Sequence, residues 1–188
     1  MPASSSAADQ ATALLRELGA AAIAHPGGTL LAHLQRVQGR LAAWDARPAL
    51  QLAGLCHAFY GTDGFPTALL TLDRRAELAM MIGAEAEAVV LLYASCDRKA
   101  TYPAFTATDA AFRDRFTGRV YAPEWQLRRD FAELSAANEL DLAGIDPSFR
   151  EKCGPELLAL FTRFRPMLSR SAWSACRTAL APDAPAQG

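Results

Sequence analysis

Three histidines stand in this chain of 188 residues, and two of them fall in apolar surroundings. His33 lies in LLAHLQRV, beside Leu30 and Val37 at the edge of a stripe in which Leu30, Leu34, Val37, Leu41 and Trp44 recur at three- and four-residue steps. His57 lies in PALQLAGLCHAFY, apolar on nearly every side, as a central buried helix is. Ala53 and Gly54 share its face and let another helix approach closely. Two imidazoles on adjacent buried helices can bind a metal, transfer a proton, or serve as hydrogen-bonded core groups. His25, in His25-Pro-Gly-Gly28, reads as incidental to a loop.

Directly after His57 comes the segment HAFYGTDGF. Tyr60, Thr62 and Asp63 bring three polar groups to the end of a buried helix, which makes a polar cluster at the mouth of an apolar bundle. The plainer alternative is that Thr62 and Asp63 cap a turn. Asp97 precedes Arg98 at the end of an apolar helix, where the dipole disfavours a carboxylate, so it reads as an ion pair, a ligand or a base. Asn138 stands between small residues in SAANELD and reads as inward-facing. Arg74 and Arg75 are exposed residues or anion ligands. There is no Gly-x-Ser-x-Gly turn, phosphate loop or dinucleotide fingerprint.

The elements that must hold these residues are helical almost throughout. Helices are predicted over 7–24, from Thr29 as N-cap to about Trp44, over 48–60, from Asp73 to Gly83, and over 84–97. A short helix over 107–116, a long one over 123–143, and two more over 155–164 and 169–180 complete the set. No alternating strand stands out. The expected fold class is therefore all-α, a compact helical bundle. One helical domain is expected over 7–181, between mobile tails at 1–6 and 182–188, since the length fits roughly one domain of about 150 residues.

Composition narrows the function classes. Nineteen basic and twenty acidic residues give a net charge of −1, which argues against a strongly basic nucleic-acid binder. Residues 1–97 carry 6 basic and 9 acidic side chains, and 98–188 carry 13 and 11, too small an asymmetry for a polyanion track. Cys56, Cys96, Cys153 and Cys176 match no zinc spacing, and Cys56 and Cys96, inside apolar runs, read as buried free thiols in a reducing, cytoplasmic setting. The start MPASSSAADQ lacks the features of a signal peptide, and no apolar run is long enough to span a bilayer.

The stretches LLAHLQRV, LAGLCHAFYGTDGF and IGAEAEAVVLLY together resemble the HD-domain superfamily. They resemble most the hydrolase domain of stringent-response ppGpp hydrolases and an uncharacterised bacterial family with an AGL-x-His-x-x-Tyr-Gly-Thr signature. The resemblance implies an HD-like bundle in which His33 and His57 occupy the first two histidine positions. It also implies departures. Ala58 replaces the Asp of the His-Asp pair, Gly61 and Thr62 replace an acidic pair, and Asn138 matches the final Asp. A conventional dinuclear site is then not expected. With Asp97 in its place, His33, His57 and Asp97 would form a two-His, one-carboxylate set for one divalent transition metal. The expected function is an enzyme of small-molecule metabolism on a divergent HD-like scaffold. His57, His33 and Tyr60 would be catalytic, and Thr62, Asp63, Arg74 and Asn138 would bind substrate. The alternatives are a metal-dependent phosphohydrolase of a nucleotide-like substrate and a non-catalytic binding or assembly module. The expected partner is a small molecule, with neither nucleic acid nor membrane, in a monomer or an oligomer.

Overall fold

The structure is a computed structural model that describes residues 6–106 and 111–181. It is mainly helical, with nine α-helices and two two-stranded ladders among the described residues. The expected tails lie outside the described residues apart from Ser6, which caps α1 (Ala7–Glu17) in a capping box with Asp9. Helix α1 stops at Glu17, and the chain then pairs β1 (Ala24–His25) with β2 (Gly28–Thr29) across a Pro26-Gly27 turn. Proline followed by a glycine at φ 76° is the pattern of a type II turn. A β-carbon on Gly27 would stand 2.6 Å from Ile145 Cδ1, and the positive φ itself favours glycine, so the hairpin lies close against the end of the long helix.

Thr29 then caps α2 (Leu30–Ala43) through its hydroxyl oxygen, as its type predicts. Helix α3 (Pro48–Cys56) starts at proline and packs along α2. At the crossing a β-carbon on Gly54 would stand 2.5 Å from Leu41 Cδ1 and 3.5 Å from the Gln38 backbone. Helices α4 (Arg75–Ile82) and α5 (Ala84–Ser95) follow, then the single turn α6 (Arg98–Thr101). Asp97 is the N-cap of α6, accepting from the Ala100 amide, rather than the last residue of α5.

The helix expected over 107–116 does not form in its described part. Phe112–Arg113 is β3, antiparallel to β4 (Val120–Tyr121), and residues 107–110 lie outside the described residues. Asp114 explains this locally: its carboxylate accepts from the amides of Phe116 and Thr117 and makes a side-chain turn in place of a helical one.

Helix α7 (Trp125–Ile145) runs through the centre and packs against α2, α3, α5, α8 and α9. Helix α8 (Pro147–Phe164) begins eight residues before Pro155, because Asp146 caps it through the amides of Ser148 and Phe149. Pro155 is thus inside the helix. Ser169 caps α9 (Arg170–Leu180). No described helix is long and apolar enough to cross a membrane.

The α2–α3 crossing gives the first test. Gly54→Leu forces a branched side chain into Leu41 and is expected to cost about 1–3 kcal/mol by overpacking. Thermal or urea melts measure it, and an unchanged stability would show that the two helices do not meet there.

Candidate functional site

His57 follows the last residue of α3 and turns its Nδ1 back onto its own chain, where the N–H donates to Gly54 O at 2.7 Å. That bond fixes the tautomer and leaves Nε2 as a lone pair, with no hydrogen-bond partner among the described residues. The ring is 2% exposed and sits edge-on to His33 at 5.4 Å and to Tyr93 at 5.3 Å between centroids. Burial, then the neighbouring His33 and the Arg98 and His25 beyond it, push the His57 pKa down to about 3. It is a neutral acceptor across the physiological range.

His33, 1% exposed, lies one turn into α2 and faces α7. Its Nδ1 donates to Asp141 Oδ2 at 2.7 Å, and its Nε2 lies 3.0 Å from Asn138 Oδ1. A carboxylate on one ring nitrogen orients an imidazole for proton transfer at the other. Asn138 holds that nitrogen through its Oδ1 and donates its own Nδ2 to Glu139 Oε1 at 3.3 Å. Asp141 also receives Arg36 Nε at 2.8 Å and Nη2 at 2.9 Å. Burial would raise its pKa, but the hydrogen bonds from His33 and Arg36 outweigh burial and bring it down to about 2. Arg36 further donates to the carbonyls of Gly27 and Pro26, tying the β1–β2 hairpin to the same carboxylate.

That hairpin carries His25, which stacks on His33 with centroids 4.1 Å apart. The loop histidine is therefore part of the site, contrary to its reading as incidental. The fourth wall is Arg98 at the start of α6. Its Nη1 donates to Glu139 at 3.2 Å and its Nη2 to the Tyr93 hydroxyl at 3.0 Å. His25, His33, His57, Thr62, Arg98, Asn138 and Glu139 line one half-open cavity of about 340 Å³, completed by Leu30, Phe65, Leu142 and Phe149.

Several expected site residues point elsewhere. The Tyr60 hydroxyl donates to Glu87, which Arg75 also holds, because helix α3 ends at Cys56 and the following turns carry Tyr60 toward α4 and α5. Asp63 accepts from the Arg98 backbone amide and fixes that residue from outside the cavity. Arg74 is exposed and pairs with Glu77. Asp97, engaged in capping α6 and facing Arg113 at 3.7 Å, does not join the histidines, so the set His33, His57 and Asp97 does not form. Arg98, Glu139, Asp141 and Phe149 were missed. The i, i+3 spacing of Asn138 and Asp141, one helical face, was the signal available for the last carboxylate.

The comparisons divide the chain at this site. Residues 14–98 match the model of a domain of unknown function, DUF6817. The match spans less than half of the chain. It takes in all three histidines, Thr62 and Arg98, and it stops before the α7 residues that face them. No curated protein and no solved structure matches the chain.

The residues present do not fit the metal that the HD resemblance implies. Among the described residues no three of His, Cys, Asp or Glu are grouped to hold an ion. Ala58 offers no donor, Asn138 offers a neutral one, and both His33 nitrogens are already engaged.

The buried, neutral His57 makes stability depend on pH. Its folded pKa of about 3 lies below the value of about 6.5 for an exposed histidine. Between the two, the unfolded chain takes up a proton that the folded chain refuses. The contribution is therefore full above about pH 6.5 and is lost as the pH falls toward 3. Asp141 adds its own loss only below about pH 4. His25, also lowered by burial and by His33, acts in the same direction. Melts from pH 7.5 down to 4.5 should show a falling Tm, with a shallower fall in His57→Gln. Parallel curves for the two proteins would refute a neutral His57.

Proposed function

We propose that this protein is an enzyme of small-molecule metabolism, on an HD-like helical scaffold whose metal chemistry has given way to proton transfer by histidine. One observation carries the reading. Two buried imidazoles face the same cavity, one backed by a carboxylate and the other with a bare ring nitrogen. The meeting of His33, His57 and Asn138, three positions that the HD resemblance assigns to ligands, supports the scaffold. The four cysteines, all unpaired, agree with a cytoplasmic setting.

In this reading His57 Nε2 accepts a hydrogen bond from the ligand and orients it. A base with so low a pKa does not hold the proton, so His33 carries it, with Asp141 holding the ring and the ligand taking the place of Asn138 at Nε2. The Thr62 hydroxyl oxygen accepts from the Phe65 amide, which leaves its hydrogen for the ligand. The reaction class is proton abstraction and return, or general acid–base assistance to bond cleavage. The near-complete burial of His33 favours a second reading, a binding module without turnover.

Incubation with a filtered metabolite extract in D2O tests the choice. Mass spectrometry should find at least one small molecule consumed or deuterated by the native protein. His33→Gln and His57→Gln should each slow this by about a hundredfold or more, the usual size of acid–base assistance. Full turnover by His33→Gln would overturn the mechanism, and retention of a bound but unchanged molecule would select the binding module.

A further inference from the structure

Besides His25 Nδ1, which is buried without a partner, two acceptors in the cavity have no donor among the described residues. Glu139 is 8% exposed; its Oε1 receives Arg98 and Asn138, while Oε2 has no hydrogen-bond partner among the described residues. His57 Nε2 is the other. Both acceptors are accessible from the half-open cavity, so the natural complement is a ligand group rich in N–H. The charged donors left over belong to Arg98. Its side chain is 23% exposed, and two of its five N–H groups are spent on Glu139 and Tyr93. Gly64 keeps the guanidinium uncovered, for a β-carbon there would stand 3.3 Å from Arg98 Nη1.

Charge narrows the ligand further. One guanidinium and one carboxylate, 3.2 Å apart, give this end of the cavity no net charge. A simple anion would gain Arg98 and meet Glu139, and a simple cation would meet the reverse. A molecule with a carboxylate and an ammonium on one carbon satisfies both. Its carboxylate would take the free donors of Arg98. Its ammonium would donate to Glu139 Oε2 and His57 Nε2. Phe65, Leu142 and Phe149 line the same cavity with apolar surface that suits a hydrocarbon side group.

We propose that the cavity binds a free α-amino acid with an apolar side chain, through Arg98 at the carboxylate and Glu139 with His57 at the ammonium. The proposal rests on the reading of this cavity as the ligand site, and not on proton transfer there.

Thermal shift against the common α-amino acids, each at about 10 mM, makes the first measurement, since a ligand stabilises in proportion to the logarithm of its excess over Kd. An apolar amino acid should raise Tm. Calorimetry then compares L-leucine with 4-methylpentanoate, which lacks the ammonium, and 3-methylbutylamine, which lacks the carboxylate. Each analogue should bind at least about tenfold more weakly, the loss of one charge-assisted contact. Glu139→Gln and Arg98→Gln should lose as much. Gly64→Ala, which crowds the guanidinium while keeping every polar partner, serves if either charge variant fails to fold. No response to any amino acid, equal binding of either analogue, or unchanged leucine affinity in the folded variants would overturn the proposal. Deuterium exchange into some other molecule, without amino-acid binding, would sink this inference alone. Amino-acid binding without exchange or consumption would sink proton transfer alone.

Discussion

A helix at the centre of a bundle that carries charge must find a partner for every charge, and α7 carries four such carboxylates. Asp130 meets Arg47 at the start of α3, Glu133 meets the Ser169 cap of α9, Glu139 meets Arg98 of α6, and Asp141 meets His33 and Arg36 of α2. Breaking one buried pair by removing a partner costs about 3–5 kcal/mol, as much as opening a cavity in the apolar core. The neighbours of α7 are thus held in register by polar contacts at four points along its length. The apolar core fills the space between them.

The same constraint builds the cavity. Asp141 cannot be satisfied by one donor, so it draws the hairpin through Arg36 and the imidazole through His33. The hairpin brings His25 onto the outer face of that ring. Glu139, one residue beyond Asn138, turns toward Arg98 and leaves an oxygen free. A polar pocket surrounded by helices here follows from satisfying the buried charges of one of them.

Much of the helical order was legible in the residues themselves. The caps at Thr29 and Ser169, the proline start at Pro48 and the stop at Gly83 are local signals and stand in the structure. Errors arose where a side chain outcompeted periodicity. Asp114 made a turn in an apparent helix, and Asp146 started α8 before a proline that looked like the start. The site was half legible. His33 and His57 announced themselves by standing alone in apolar stripes. Asp141, Glu139 and Arg98 carry no signal of their own, because nothing in a local window tells which of many charges will be buried by a helix from elsewhere. Tyr60 was misread because its place in line with His57 assumed that α3 continued past Cys56.

The contacts that complete the site join residues 105 and 108 positions apart in the chain. Loops of that length close at an entropic cost that local helices do not meet. The histidine-bearing helices can therefore form as a pair with their polar edge still open to water, and the cavity comes into being only when α7 docks. Any molecule held there bridges the two ends of a long loop and adds its binding free energy to the docked arrangement. Occupancy and the docking of α7 are in this way one equilibrium.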